Sequence, residues 1–166
     1  MKVSQSFLLP FSWERIAAVL CDPQFNIERD KLREGVIASE FHRVDEGERH
    51  KHFELHTTEY KRTMTGGLNR GGTARTVTEF RYDAHARTVR WNYAGEAGPL
   101  MELSGTYTLQ PHDRGTRLVH EVSIFVWLPV VGHYIMKFIA KEFEKPSQGY
   151  RELIIEHAAG AMPQDG

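Results

Sequence analysis

The sequence predicts an α+β fold: a curved antiparallel sheet of about seven strands around a long C-terminal helix, with two short helices after the first strand. Apolar residues recur at helical spacing only over residues 12–33 and after Pro129. Between these stretches, apolar and polar residues alternate with period two, and turn residues recur as in an antiparallel meander. The length of 166 residues suits one domain. We expect this domain over residues 1–159 and a frayed tail over 160–166.

Composition narrows the class of partner. A formal net charge of −1 gives no general attraction to nucleic acid, so we expect no nucleic-acid partner. The single cysteine, Cys21, excludes an internal disulfide and fits a reducing compartment, and residues 1–10 lack an export signal, so we expect a cytoplasmic location. The most apolar window, residues 122–136, is too short to span a bilayer but is able to touch a membrane transiently. No pattern in the sequence indicates the oligomeric state.

The N-terminal part predicts a strand followed by two short helices. Residues 3–9 alternate as in a strand, which Pro10 ends because proline cannot continue the ladder. Ser12 is a helix cap, and apolar residues then follow at helical spacing as far as Leu20. A second helix is expected from Pro23 to Arg33, with proline at its first position.

The middle of the chain predicts a meander of six strands joined by turns. One connection, residues 62–72, is long and glycine-rich and carries apolar residues at Met64 and Leu68, so it predicts a mobile flap. The predicted strands are 36–44, 49–59, 73–82, 87–93, 100–109 and 116–127.

The C-terminal part predicts one helix over residues 129–157 whose apolar stripe faces the sheet. Pro146 interrupts the helical pattern, which predicts a kink near residues 142–146 because the proline ring clashes with the carbonyl four residues back. The stripe consists of Val131, Ile135, Phe138, Ile139 and Phe143.

Two segments carry a resemblance to a known superfamily. Gly-Thr-Tyr-Thr-Leu-Gln-Pro at 105–111, followed by Gly-Thr-Arg-Leu at 115–118, is similar to the penultimate hairpin of the START-like (SRPBCC) superfamily, which has the helix-grip fold and includes polyketide cyclase-like members. Leu-Pro-Val-Val-Gly at 128–132 and Lys-Phe-Ile-Ala at 137–140 resemble one uncharacterised bacterial branch. The resemblance implies a cavity beneath the long helix that takes a lipid, sterol, quinone, polyketide or plant hormone. It brings no catalytic residue and no cofactor, and Pro146 departs from the commonest pattern.

The predicted site is an apolar cavity under the helix with one or two polar side chains that orient the ligand. His120 alternates with apolar residues on the inward face of its strand, and Glu142 interrupts the helical stripe, so either one is a candidate polar contact. A hydrogen-bonded core histidine and a carboxylate that reaches water explain the same two positions. Two alternatives stay open: a cyclase or dehydratase with His120 and Glu142 as acid and base, and a protein-interaction module of cochaperone type. The predicted ligand-binding residues are Trp91, Leu103, Tyr107, His120, Val122, Ile135, Phe138, Glu142 and Phe143.

A second group of polar residues lies along one predicted strand. His50, His52, Glu54 and His56 occupy alternate positions and project from one face. His50 and His56 are too far apart along a strand to share one ion, so a second strand or a partner chain would have to supply a ligand. A solvated outer face explains the same pattern, and we predict no metal and no cofactor from the sequence.

Overall fold

The computed structural model of the protein describes residues 1–63, 65–145 and 147–160. It confirms the predicted α+β helix-grip architecture: seven antiparallel strands form one open sheet in the order β1-β7-β6-β5-β4-β3-β2. The elements are β1 (Lys2–Leu9), α1 (Trp13–Leu20), α2 (Pro23–Lys31), β2 (Val36–Glu46), β3 (His50–Arg62), β4 (Leu68–Asp83), β5 (Thr88–Ala94), a 3-10 turn (Gly98–Leu100), β6 (Met101–His112), β7 (Gly115–Val126), α3 (Gly132–Glu144) and α4 (Ser147–Gly160).

The first two helices begin at the predicted caps. The Ser12 hydroxyl accepts from the Arg15 amide at 3.3 Å, and an Asp22 carboxylate oxygen accepts from the Phe25 amide at 2.9 Å. Each bond satisfies a backbone donor that the first helical turn leaves unpaired. Helix α2 ends at Lys31, two residues earlier than predicted.

The predicted flap over residues 62–72 is wrong in extent, because residues 68–72 of this segment belong to strand β4. Strand β3 continues to Arg62, and β4 begins at Leu68, so only residues 63–67 connect the two strands. Tyr60 pairs with Thr73 but Lys61 pairs with Asn69, which leaves residues 70–72 as a bulge within β4. Gly71 and Gly72 therefore lie in a bulge within a long β-hairpin, and strand pairing continues on both sides of them. Met64 lies outside the described residues.

The predicted single C-terminal helix is divided into two. Helix α3 lies against β7 and β1, whereas α4 lies against α1 and α2. The two helices end and begin on either side of Pro146, so the predicted kink residue itself lies outside the described residues, as do residues 161–166 of the predicted tail. None of the helices in the described ranges combines the length and the apolarity that crossing a membrane requires.

The core fills the space between the inner face of the sheet and the helices. Alternate residues of β3 to β7 turn inward, as the pleat requires, and α1, α2 and α4 add Ile16, Leu20, Phe25, Ile154 and Ala158. The inward strand residues include Phe53, Leu55, Phe80, Tyr82, Val89, Trp91, Tyr107, Leu109, Leu118, His120, Val122 and Ile124.

Candidate functional site

The described residues bring a group of polar and aromatic side chains together in the core and at its edge. The Tyr107 and His120 rings are stacked with centroids 4.0 Å apart and an interplanar angle of 16°. Trp91 stacks on Phe143 of α3 at 5.9 Å, and Tyr107 stacks on Tyr150 of α4 at 6.1 Å. We call this group the interior cluster; it consists of Arg29, Trp91, Tyr107, His120, Phe143 and Tyr150.

Sheet register positions the strand members of the interior cluster. Tyr107 and His120 are directly opposite each other on β6 and β7, where cross-strand side chains are in contact. Trp91 on β5 is opposite Gly105 on β6. A Cβ atom at Gly105 would lie 2.4 Å from the Trp91 indole, so the indole occupies the volume of the missing side chain. The glycine therefore lets the tryptophan lie across the neighbouring strand.

His120 is held as a neutral imidazole. Burial lowers its pKa to about 3, and the positive charge of Arg29 acts in the same direction. The Trp91 Nε1–H donates to His120 Nε2 at 3.2 Å. Because an indole nitrogen can only donate, Nε2 must be the unprotonated nitrogen of the ring.

Arg29 and Tyr150 are members of the interior cluster that the sequence reasoning missed as site residues. The Arg29 guanidinium carbon lies 4.8 Å above the Phe80 ring. The Tyr150 hydroxyl is buried and makes no hydrogen bond of full geometry among the described residues; Tyr107 and Arg29 interact with it, and burial raises its pKa well above the ordinary value. A sequence signal did exist, since Arg29 follows Phe25 by four residues and so shares its buried helix face.

A second group of contacts lies at the edge of α3 and joins it to the loop between β3 and β4. The Phe138 ring packs against Gly66, where a Cβ atom would come within 2.5 Å of the ring. The Arg62 guanidinium carbon lies 5.6 Å from the centroid of the same ring. Glu142 forms a 2.6 Å salt bridge with Lys145 and a 3.8 Å one with Arg62. We call these five residues the rim.

The predicted site residues therefore fall into three positions. Trp91, Tyr107, His120, Val122 and Phe143 lie in or next to the core, and Leu103 packs against it half-buried. Ile135 is half-buried on α3, whereas Phe138 and Glu142 belong to the rim.

Glu142 and His120, the acid and base of the enzyme alternative, have separate partners. Glu142 bonds to Lys145 and Arg62, and His120 accepts from Trp91. No hydrogen bond joins the two side chains within the described ranges. The geometry thus gives no support to an acid–base pair.

The predicted cavity beneath the helices is not one of the two best-formed clefts of the described residues; the rings of the interior cluster pack against one another there. Two clefts, of about 10 Å³ and about 300 Å³, lie elsewhere, near the ends of β2 to β5, and are lined by residues such as Lys51 and His52. Neither cleft is lined by a residue of the interior cluster. A ligand that reached the cluster would have to displace side chains or move α3.

Comparison with known proteins bears on this arrangement. Residues 4–154 match the family described as "Protein of unknown function (DUF2505)". No curated protein matches the chain in sequence.

Solved structures with the same fold include three that match over nearly the whole chain. TTHA0849 from Thermus thermophilus has a TM-score of 0.63 and 16% identity, covering 97% of this chain and 99% of that one. The Zhui aromatase/cyclase from Streptomyces sp. R1128 has a TM-score of 0.60 and 13% sequence identity, and the match covers 100% of this chain and 98% of that one. A START superfamily protein from Mycobacterium smegmatis has a TM-score of 0.58 and 12% identity, and the match covers 97% of this chain and 99% of that one. At these identities the likeness shows the START-like fold.

Proposed function

Because the chain belongs to the DUF2505 family and has the START-like helix-grip fold, we propose that it binds a hydrophobic small molecule. The ligand is of lipid, quinone or polyketide type and lies between the sheet and helices α3 and α4, in contact with the interior cluster. The Zhui neighbour is an aromatase/cyclase and the Mycobacterium smegmatis neighbour is a START superfamily protein. These neighbours support a scaffold for hydrophobic ligands rather than one ligand.

One observation carries the proposal: polar groups are buried where apolar side chains would be more stable. The Tyr150 hydroxyl is buried and makes no hydrogen bond of full geometry in the described ranges, although Arg29 and Tyr107 interact with it; a buried polar group that is left unsatisfied costs about 1–3 kcal/mol. Arg29, which interacts with Tyr150 and Tyr107, brings a positive charge to the same place. Its sequence neighbour Asp30 is already engaged by Arg33, Ser39 and Thr57. An oxygen atom of a ligand would accept hydrogen bonds from both the Tyr150 hydroxyl and the Arg29 guanidinium.

Access to the interior cluster runs past α3. Four residues of its apolar stripe, Ile135, Phe138, Ile139 and Phe143, are only half-buried. Helix α3 is thus held by less apolar contact than the strands beneath it, and its displacement costs correspondingly little. We propose that the rim closes this entrance, where Phe138 of α3 meets Gly66 and Arg62.

Extraction and direct binding test the proposal. Denaturing extraction of the purified protein followed by mass spectrometry is expected to release an amphiphilic small molecule. A long-chain fatty acid, a naphthoquinone and a hydroxyanthraquinone are then titrated against the delipidated chain, with quenching of tryptophan fluorescence as the readout. At least one is expected to bind saturably in competition with the others. Absence of binding by all three, together with an extract free of amphiphiles, would contradict the proposal.

Paired variants locate the site. Tyr150→Phe removes only the buried hydroxyl and is expected to weaken binding about tenfold, because a buried hydrogen bond contributes about 1.4 kcal/mol. Tyr134→Phe makes the same change at an exposed position on α3 and is expected to bind like the wild type. Equal affinities for the two variants would place the ligand elsewhere.

An exposed apolar patch supports a second proposal, transient contact with a membrane. Phe125 and Trp127 are in ring contact at 4.5 Å. Trp127 is 45% exposed and nearby Val130 is 87% exposed at the turn before α3. Tryptophan and apolar residues suit the membrane–water interface. Co-sedimentation with phospholipid vesicles is expected for the wild type and reduced for Trp127→Ala; equal sedimentation would remove this proposal and leave a protein partner as the use of the patch.

The cytoplasmic location remains a proposal that rests on Cys21. Burial raises the pKa of this thiol to about 12, so it is unreactive at neutral pH. Cell fractionation with an antibody to the chain would test the location.

A further inference from the structure

The outer face of the sheet carries a cluster of metal-ligating side chains away from the interior cluster. His52, Glu54 and Glu79 each offer one ligand atom, and these atoms all lie within 4.8 Å of one another. His52 and Glu54 are on β3, and Glu79 on β4 is directly opposite Glu54 in the register. The second strand thus supplies the ligand that β3 alone could not.

The three side chains lack a complete set of partners of their own. Glu54 and Glu79 are like charges in a direct cross-strand pair, which is destabilising, and the contacts of Glu54 with His56 and of Glu79 with Arg81 offset this repulsion only in part. His52 Nε2 is buried and has no hydrogen-bond partner in the part of the chain that the structure describes. It lies 3.4 Å from a Glu79 oxygen, an electrostatic contact at the long end of hydrogen-bond range that leaves the nitrogen only weakly paired. A cation between these atoms would remove the repulsion and satisfy the nitrogen.

We propose that His52, Glu54 and Glu79 bind a divalent transition-metal ion, with Zn²⁺ as the probe. One imidazole with two carboxylates suits such ions, whereas Ca²⁺ and Mg²⁺ prefer oxygen ligands alone. In a tetrahedral site with metal–ligand bonds of about 2.0–2.1 Å, neighbouring ligand atoms are about 3.3 Å apart. The 3.4 Å between His52 and Glu79 already matches this spacing. Glu54 offers an oxygen within 4.8 Å of both other ligand atoms, so it would have to move closer to bind the same ion, with water in the fourth position.

Neighbouring residues hold the two carboxylates in place. His56 Nε2 lies 2.8 Å from Glu54 Oε2, and Arg81 Nε donates to Glu79 Oε1 at 2.8 Å. Glu79 therefore turns its other oxygen, Oε2, toward His52. Such supporting contacts orient metal ligands and strengthen their binding.

Calorimetric titration of the tag-free full chain with Zn²⁺ tests the proposal. The wild type is expected to bind a single ion saturably, and Mg²⁺ at the same concentration is expected not to compete. His52→Ala and Glu79→Gln are each expected to weaken Zn²⁺ binding by about tenfold or more. His133→Ala removes an exposed histidine on α3 and is expected to bind like the wild type.

Co²⁺ provides a second readout that depends on ligand identity. The wild type is expected to give a visible absorption band with Co²⁺ that His52→Ala loses, while circular dichroism shows that the variant keeps its fold. Glu79→Gln keeps the size of the side chain, so it covers the case in which His52→Ala does not fold. Absence of saturable Zn²⁺ binding in the wild type, or wild-type affinity in Glu79→Gln, would overturn the proposal.

Discussion

The indole nitrogen of Trp91 donates a hydrogen bond to Nε2 of His120 at 3.2 Å in the middle of the core. This contact joins β5 to β7 across the intervening strand β6. It also fixes which imidazole nitrogen lacks a proton, because the indole N–H has no acceptor capacity. The two side chains thus form a polar link in surroundings where each would otherwise be unsatisfied.

The buried His120 predicts a specific pH dependence of stability. Its pKa is lowered to about 3 from an ordinary value of 6.5, so between these values the unfolded chain binds a proton that the folded one does not. Stability therefore rises with pH across this window and falls as the solution is acidified below 6.5. His120→Gln keeps an acceptor for Trp91 and removes the titration. Chemical unfolding between pH 4.5 and 6 is expected to show a slope lower by about 1.4 kcal/mol per pH unit. Equal slopes in variant and wild type would show that His120 titrates normally.

Gly105→Ala is expected to lower the free energy of unfolding strongly, although it adds only one methyl group. Gly105→Ala places a methyl group where the Trp91 indole lies, so the ring must move and weaken its bond to His120. Overpacking of this kind costs about 2 kcal/mol of unfolding free energy. Gly149→Ala in α4 meets no atom within 4 Å and is expected to stabilise the protein by about 0.5 kcal/mol. Urea unfolding of both variants measures the contrast; two equal effects would refute the predicted crowding at Gly105.

Asp30 predicts sensitivity of the fold to strong acid. Burial alone would raise the pKa of its carboxyl, but Arg33 and the hydroxyls of Ser39 and Thr57 outweigh burial and lower it below 3.8. Its contribution is therefore present at neutral pH and is lost as the pH falls below 3.8 through the folded-state pKa.

Asp30→Asn tests the same carboxylate at neutral pH. We expect a loss of about 2 kcal/mol, less than for a fully buried ion pair because Arg33 is half-exposed. Asp113→Asn, an exposed change in the turn between β6 and β7, is expected to have little effect. Thermal unfolding at pH 7 and pH 3 measures the stability of the wild type and both variants. If Asp30→Asn lost as much stability between pH 7 and pH 3 as the wild type does, the assignment would be contradicted.

The rim predicts a kinetic effect on ligand exchange. Phe138→Ala removes the ring that packs between Gly66 and Arg62, so α3 and the loop over residues 63–67 separate more easily. Both association and dissociation of a bound ligand are expected to become several-fold faster, with a smaller change in affinity. Stopped-flow fluorescence measures both rates. Tyr134→Ala, an exposed position on the same helix, is the matched control, and unchanged rates in Phe138→Ala would mean that entry does not pass the rim.

Local patterns were sufficient to predict the architecture. Ser12 and Asp22 mark the starts of α1 and α2 because capping depends on a few neighbouring residues. The strand residues Trp91, Tyr107 and His120 were correctly placed inward because the alternation of a pleated strand is local as well. The extent of the flap was wrong because a bulge opposite Tyr60 depends on strand register, and the sequence does not display register.

Contacts between distant elements were the part that local patterns could not supply. Arg29 and Tyr150 are 121 positions apart and meet only because α2 and α4 pack on the same end of the sheet. The enzyme alternative required Glu142 beside His120, but in the structure Glu142 forms salt bridges with Lys145 and Arg62 at the rim. Likewise, Glu79 joins His52 only through the pairing of β3 with β4.

Because the C-terminal segment is divided into two helices, α4 can anchor the segment while α3 covers the sheet separately. Helix α4 is tied to α1 and α2 and contributes the fully buried Ile154 and Ala158, whereas α3 rests on β7 and β1 through partly solvated side chains. Partial unfolding can therefore release α3 while α4 keeps its anchorage. Under the proposed function, a bound molecule would then exchange through release of α3 alone, while the residues that α4 anchors stay packed.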